Sequence, residues 1–455
     1  MRNDQGSENV PKVKGEKGER FTSSGFILAA IGSSVGLGNM WKFPYITGKH
    51  GGAAFFLLFI VCLIIVGLPV LLAEMTIGRG GRANASLSFY KLTNKKIWGY
   101  FGFLSVFTAF LIMTYYAVVA GWTLHYTMES FTGLLYQPGA DYKDKFVTFA
   151  AGYWPVFWQA VVIILSGWVI ARGVSGGIEK FNKILIPGFL IILLVLMFRS
   201  LTLPGSGEGV RFFLEPDFSK LDAESALIAL GHAFFSLSLG MGCMLTYGSY
   251  VDKRQSLGTA TLAIGFGDLV YAFIAGLVIF PTVFSYGLKP GEGVGLAFMA
   301  LPAAFAQMPM GAIFGGLFFL LLAIAALTSA VSILEVPVAY AMHRWGWTRK
   351  KAAILISVTC FVLGIPCALS VGGVLGSFTP GGKSIFDWVD FVTAYVFMPI
   401  GGLVVTLFTG YAWKLAGEEA GLNGFWYRAW MFLLKVVAPI MIILVFLYSV
   451  GLLSF

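Results

Sequence analysis

The chain has 455 residues, of which 58% are hydrophobic and 12% charged, and it carries a formal net charge of +9. The charged fraction is about half that of an average soluble domain, so a polar shell of the usual size cannot wrap the apolar bulk, and lipid is the expected solvent for most of the surface. Lys and Arg fall in short loops between apolar runs instead of clustering on one face, which excludes nucleic acid as the expected partner.

Residues 1–20 are polar and show no apolar core or cleavage site, so the first span is expected to act as its own insertion signal. Apolar runs long enough to cross a bilayer fall near 24–49, 53–78, 98–127, 154–171, 183–201, 226–249, 257–286, 309–342, 352–374, 387–413 and 429–453. These predict an all-α polytopic membrane protein of eleven transmembrane helices. With the N-terminus inside, 22 of the 31 Lys and Arg residues fall on the inner side and 9 on the outer. That bias predicts a cytoplasmic N-terminus, an extracellular C-terminus and a place in the cell membrane. The run at 294–307 is too short to span and is expected to be a helical outer loop that dips toward the core. Cys62, Cys243, Cys360 and Cys367 lie within apolar stretches without metal-ligand spacing and read as small packed thiols.

Two spans are interrupted at their middles, by Ser33-Ser34-Val35-Gly36-Leu37-Gly38-Asn39 and by Ser236-Leu237-Ser238-Leu239-Gly240-Met241-Gly242. Glycine lowers helix propensity by about 1 kcal/mol relative to Ala, and small hydroxyls compete for backbone hydrogen bonds. The stretches VGLGNM (35–40) and LGMGCM (239–244) also match each other, one in the first span and one in the sixth. A five-plus-five inverted repeat would place them so, with helices 1 and 6 broken at mid-membrane. Either stretch alone could be a small-residue packing face; the matched pair points to a midplane binding site. Unwinding frees carbonyls, which suit a hard cation, and amides at a positive helix end, which suit a carboxylate. An amino-acid zwitterion with Na⁺ meets both requirements.

The chain resembles the neurotransmitter:sodium symporter family, and within it the bacterial amino-acid members, from about residue 20 onward. The motifs that carry the resemblance are GSSVGLGNMWKFPY (32–45), GGAAFF (51–56), the stretch from TYY at 114 to GW at 122, FFSLSLGMG (234–242), LPAAFAQ (301–307) and ALTSAVSILE (326–335). The resemblance implies a secondary transporter, not an enzyme, that imports hydrophobic L-amino acids, aliphatic and aromatic, with Na⁺ by alternating access. It implies segments 1–22 (cytoplasmic), 23–201 (first five-helix repeat), 202–225 (extracellular loop), 226–413 (second repeat) and 414–455 (cytoplasmic loop and helix 11).

Motif by motif, the resemblance also implies the sites. A first Na⁺ would meet the Ser34 carbonyl, Asn39, Ser236, Asp268 and the substrate carboxylate. A second would meet the carbonyls of Gly32, Val35 and Ala325 and the hydroxyls of Thr328 and Ser329, a pair that could equally be back-bonded to its own helix. The substrate would lie among Ser34, Leu37, Gly38, Ile112, Tyr116, Phe235, Ser236, Ser238, Met241, Ser329 and Ile333. Lys42 and Asp390 would form a loose, water-mediated outer gate, since Lys lacks the bidentate fork of Arg. Gly177 and Pro187, with nine residues between them, match the fifth-helix pair that lets its cytoplasmic half unwind.

Asp268 stands where the family commonly has Asn, and Phe59, His232 and Tyr271 stand where chloride-dependent relatives gather anion ligands. The expectation is a chloride-independent carrier in which the Asp268 carboxylate replaces the anion. Glu74 and Glu335 are expected to serve freed backbone N–H groups or loop cations. Two rival readings remain. A proton-coupled amino-acid carrier of the same architecture would not need sodium at the hydroxyl pair. Gly265-Phe266-Gly267-Asp268 also spells the GxGD signature of intramembrane aspartyl proteases, whose chemistry needs a second carboxylate in the same site.

Overall fold

The structure is a computed structural model that describes residues 20–288 and 296–453. The expected N-terminal segment lies outside the described residues as far as position 19, and so do positions 294 and 295 of the expected outer loop. Every regular element among the described residues is a helix. In a low-dielectric layer this is what the backbone requires, because a helix pairs its own N–H and C=O groups.

In chain order the principal helices are α1 (Ser23–Ser34), α2 (Phe43–Lys49), α3 (Ala53–Gly81), α4 (Lys96–Phe131), α5 (Trp154–Ala171), α6 (Val174–Leu201), α7 (Ala223–Ser236) and α8 (Cys243–Ser249). They continue with α9 (Leu257–Ser285), α10 (Leu296–Gln307), α11 (Gly311–Trp345), α12 (Arg349–Ser370), α13 (Ile385–Ala412) and α14 (Gly424–Ser449). Nine of these are long and apolar enough to cross a membrane among the described residues. The remaining two expected spans, 24–49 and 226–249, are each present as two half-helices, α1 with α2 and α7 with α8. At 1.5 Å per residue α4 is about 54 Å long, well beyond a hydrocarbon core of about 30 Å.

Helix starts are set by side chains read directly from the sequence. Thr22 caps α1, Ser256 caps α9 and Thr348 caps α12, while Asp222 with Ser225 forms a capping box for α7. Prolines shape the interiors. The π-turns at Gly38–Lys42, Leu63–Gly67, Leu296–Ala300, Phe391–Phe397 and Leu433–Val437 each end two residues before a proline. Proline has no N–H to donate and crowds the preceding turn, and a widened turn there absorbs both defects.

The helix pairings show the repeat. Exchanging each span with the one five places on maps the contact of α1 with α9 onto that of α8 with α3. It also maps α4 with α12 onto α11 with α5, and α6 with α9 onto α13 with α3. Five crossings is an odd number, so the second unit runs through the layer in the opposite sense to the first. At the centre, 83% of the most apolar window of α11 and 72% of that of α4 are buried, against 28% for α6, so α4 and α11 form the frame on which the half-helices rest. The short α10 lies inward as expected: Phe298 is buried against Trp41, Trp122, Tyr126, Phe146 and Phe319.

The break between α7 and α8 depends on its glycines. Gly240 has φ +80°, and a Cβ there would collide with the Met398 carbonyl oxygen on α13, a backbone atom that cannot rotate away. Gly240→Ala is therefore expected to cost more than the ~1–2 kcal/mol of a left-handed L-residue. The expected readout is a clear fall in apparent melting temperature of the detergent-solubilised protein, larger than for Ala at Gly188, where a Cβ meets nothing within 4 Å.

Candidate functional site

The two interruptions face each other at the middle of the molecule. In the first, α1 ends at Ser34, Val35 leaves helical geometry (φ −80°, ψ 70°), and the Gly36 N–H turns back to the Ser34 carbonyl at 2.9 Å. In the second, Ser238, Gly240 and Gly242 all have positive φ, between +54° and +80°. A non-glycine residue in this region is uncommon, and Ser238 is held there by its own hydroxyl, which donates to the Ser33 carbonyl at 3.0 Å. The freed Gly240 N–H donates to Glu74 Oε1 at 2.7 Å. Glu74 is thus one of the expected partners for freed N–H groups; its other oxygen is buried with no partner among the described residues.

Three of the residues expected around the first sodium form a closed group. Asn39 Nδ2 donates to Asp268 Oδ1 at 2.7 Å, and the Ser236 hydroxyl lies 2.6 Å from Asn39 Oδ1 and 2.7 Å from Asp268 Oδ1. All three are buried, and Asp268 Oδ2 has no hydrogen-bond partner among the described residues. A buried carboxylate oxygen without a donor is costly unless a cation or water meets it. The fourth residue, Ser34, spends its hydroxyl on the Ala30 carbonyl at 3.0 Å, leaving its backbone oxygen as the group it can offer. The partners of Asp268 are an amide and a hydroxyl, not the second carboxylate that aspartyl-protease chemistry needs.

The residues expected around the second sodium join α1 to α11. The Ser329 hydroxyl lies 3.3 Å from the Ser33 carbonyl and 3.5 Å from that of Gly32. Thr328 behaves differently: its hydroxyl turns to its own helix, at 3.1 Å from the Ile324 carbonyl and 3.0 Å from that of Ala325. A hydroxyl in that rotamer keeps a lone pair free, so both residues remain oxygen donors to a hard cation. Val35, whose carbonyl belongs to the same expected set, sits at the turn where α1 ends.

Between these groups lies a small cavity lined by Ser34, Leu37, Gly38, Ile112, Tyr116, Phe235, Ser238, Met241, Ser329 and Ile333. Those are all the expected substrate residues except Ser236, which is turned into the Asn39–Asp268 group. The cavity adds Ser33 and Gly36, which sequence reasoning missed. Gly36 is required by close approach, since a Cβ there would lie 2.5 Å from the Ser329 hydroxyl. Ser33 is the neighbour of an expected residue in the same motif, and its hydroxyl donates to Ser332 at 2.7 Å. The Tyr116 hydroxyl is buried without a hydrogen-bond partner among the described residues. One end of the cavity is therefore polar and under-satisfied, and the other is built of Ile112, Met241 and Ile333.

Phe235 also lines a second cavity of about 230 Å³ bordered by Lys42, Tyr45, His232 and Tyr395. Lys42 Nζ lies 4.9 Å from the Phe235 ring centre and 5.5 Å from that of Tyr395. No direct ion pair joins Lys42 to Asp390 among the described residues; the ammonium is held over aromatic faces instead. His232 stacks on Phe43 at 5.5 Å and packs against Phe59 at 5.2 Å, and neither ring nitrogen finds a partner among the described residues. Tyr271 is 3.4 Å from the Ile186 carbonyl. Gly177 lies within a π-turn at Val174–Glu179, and Pro187 lies inside the helix that follows. Toward the opposite end, Glu335 meets Arg349 at 2.9 Å and the Tyr250 hydroxyl at 2.6 Å, and Arg20 meets Asp252 at 3.4 Å. Phe21 packs among Phe26, Tyr247 and Tyr250.

Comparison with known proteins agrees with this geometry. The Sodium:neurotransmitter symporter family profile matches residues 19–148 and 151–454. The sodium-dependent transporter YhdH of Bacillus subtilis (strain 168) is 40% identical over 448 residues, covering 95% of this chain and 97% of its own length. A sodium-dependent transporter of Haemophilus influenzae is 34% identical over 437 residues, covering 93% of this chain and 96% of its own. The crystal structure of MhsT in complex with L-phenylalanine superposes with a TM-score of 0.88 at 46% identity, over 95% of this chain and all of that one. This chain belongs to the sodium:neurotransmitter symporter family, and is a multi-pass membrane transporter coupled to sodium.

Proposed function

We propose that the protein imports hydrophobic L-amino acids, aliphatic and aromatic, with two Na⁺ ions per occluded complex, by alternating access. The observation that carries this reading is the buried Asn39–Ser236–Asp268 group beside a cavity with one polar and one apolar end. The binding of L-phenylalanine by MhsT, with its similar fold, supports the substrate class.

In this reading the substrate carboxylate faces the amides of Leu37 and Gly38 and the Tyr116 hydroxyl, and completes the oxygen set of the first sodium. Its ammonium faces the carbonyls of the second break, and its side chain lies against Ile112, Met241 and Ile333. A thioether at Met241 repacks around different shapes, which suits a broad apolar range. Coupling follows because the substrate is itself a sodium ligand: each raises the affinity for the other by the same factor. In the same reading the N-terminus is cytoplasmic, the orientation that the Lys and Arg bias supports. The Lys42, Phe235 and Tyr395 cluster then closes the outer path, and the Glu335–Arg349–Tyr250 cluster the inner one. Asp268 supplies the fixed negative charge that chloride supplies in chloride-dependent relatives, while Phe59, His232 and Tyr271 make a poor anion site, His232 being packed between the rings of Phe43 and Phe59 and the Tyr271 hydroxyl facing the Ile186 carbonyl.

The direct test is uptake of labelled leucine and tryptophan into proteoliposomes with Na⁺ or choline outside. Sodium is expected to drive concentrative, saturable uptake at least tenfold above choline; equal uptake in choline would overturn the reading in favour of a proton-coupled carrier. Asn39→Ala and Ser329→Ala are each expected to raise the half-saturating Na⁺ concentration about tenfold or more, as loss of one ion-facing oxygen worth ~1.5 kcal/mol implies. Replacing chloride by gluconate is expected to leave uptake within twofold of the control, and a large loss would show that Asp268 does not stand in for the anion.

A further inference from the structure

Thr22 does more than cap α1. Its hydroxyl accepts the Gly25 N–H at 3.2 Å, and the residue also donates twice to one carboxylate on α6. The Thr22 N–H reaches Glu179 Oε2 at 2.9 Å and the Thr22 hydroxyl reaches Oε1 at 2.5 Å. Lys183, one turn along α6, closes the group with Nζ 2.5 Å from Glu179 Oε1 and 3.2 Å from the Thr22 hydroxyl. Glu179 is 3% exposed. Enclosure matters, because an exposed carboxylate would exchange these donors for water at little cost, whereas a buried one cannot.

The steric fit repeats the electrostatic one. A Cβ on Gly25 would collide with the Glu179 carboxyl group, and a Cβ on Gly32 would collide with Asn182 Oδ1. Gly25 and Gly32, seven residues apart, share one face of α1, and Glu179 and Asn182, three apart, share one face of α6. Two notches in one half-helix thus receive two polar side chains of another helix. The carboxylate sits at the end of the π-turn Val174–Glu179, which follows Gly173 at φ +90°. It is anchored in the least regular part of α6.

We propose that Glu179 is a latch, a positioning residue that holds the start of α1 against α6 and whose release lets α1 swing away when the transporter opens inward. Thr22 and the break at Val35 are thirteen residues apart, so the latched end sits on a lever arm of about 20 Å, at 1.5 Å per residue, and even a modest rotation about the break carries it out of hydrogen-bond reach. Any unwinding of the start of α6 displaces the carboxylate from Thr22, so the two helices release together. That this end faces the cytoplasm, and that Na⁺ favours the latched state, rest on the proposed function.

The test uses the full chain in membrane vesicles, with Phe26→Cys as a reporter on the buried side of α1. Reaction with a membrane-impermeant maleimide from the inner side is followed with and without Na⁺. The four native cysteines are buried, and the parent chain supplies the background. Glu179→Gln is expected to speed labelling at least fivefold in the absence of Na⁺, Glu179→Asp to restore an intermediate rate, and Thr22→Val, which keeps the backbone donor, to give a smaller rise. An unchanged labelling rate in a Glu179→Gln protein with the parent melting temperature would overturn the latch. Faster labelling of the native cysteines alongside the reporter at position 26, without rescue by Glu179→Asp, would also overturn it, as a general loosening. Should Glu179→Gln not fold, Thr22→Val decides, with no rise counting against the proposal. The Na⁺-free comparison tests the latch by itself, and suppression of labelling by Na⁺ in the parent separately tests sodium coupling.

Discussion

Everything in this molecule turns on main-chain hydrogen bonding in a medium without water. A continuous helix satisfies most of its own backbone groups, and nine segments among the described residues are of that kind. The two that do not, at Val35–Leu37 and Leu237–Gly242, expose amides and carbonyls at a depth where each unpaired group costs several kcal/mol. The structure meets part of that requirement with its own side chains: Glu74 takes the Gly240 N–H, Ser238 reaches the Ser33 carbonyl, and Ser329 reaches toward Gly32 and Ser33. What the side chains leave unmet defines the site. The hydroxyl of Tyr116, unpartnered among the described residues, lines the small cavity, and the unpartnered oxygen of Asp268 belongs to the group formed with Asn39 and Ser236, the chain neighbours of the lining residues Gly38 and Phe235.

Much of this was legible in the sequence. Span positions followed from run length, and the breaks from glycine and serine in otherwise apolar runs. Glu74 was identifiable as a mid-span acid that would serve either a freed backbone N–H or a loop cation, and the Gly240 N–H is what it meets. The repeat was visible in the match of VGLGNM to LGMGCM. Contacts set by rotamer and tertiary approach were harder to read. Ser33 and Ser34 are adjacent and alike, but they face different partners, Ser332 and the Ala30 carbonyl. Ser236 was expected both at the substrate and with Asn39 and Asp268, and its hydroxyl is turned to the latter pair. Lys42 was expected to pair loosely with Asp390 through water, and the aromatic faces of Phe235 and Tyr395 that also border its ammonium were not foreseen. The pairing of Thr22 with Glu179 spans 157 positions, and no local signal marks it. The glycines opposite Glu179 and Asn182 carry the information only once the two helices are seen together.

The polar cross-links also divide into two mechanical classes. Those at the centre, through Ser238, Ser329 and Asp268, tie one break to the other and to α9 and α11, and they use neutral hydroxyls and one acid. Those at the ends are ionic and more exposed, such as Arg20 with Asp252, whose side chains are 64% and 48% accessible. Surface pairs of that kind are worth little individually and exchange readily with water. Breaking them costs little, whereas the central hydroxyl contacts are buried and cannot exchange their partners for bulk water. Glu179 and the Glu335–Arg349 pair fall between these classes, buried but close to an end.

The acid at position 268 shows how one residue can change the electrostatic character of a site without changing its shape. Asn39 and Ser236 would bond to an amide oxygen there at much the same distances, but an amide would leave the group neutral before any ion arrives. A carboxylate leaves it negative, with one oxygen unpartnered, inside a layer where a lone charge is strongly disfavoured. The resulting state is a poor resting place without a cation and a good one with it. The same charge would repel a substrate carboxylate arriving alone. On the proposed reading, these two effects together favour entry of cation before zwitterion, an order that follows from the charge of one carboxylate.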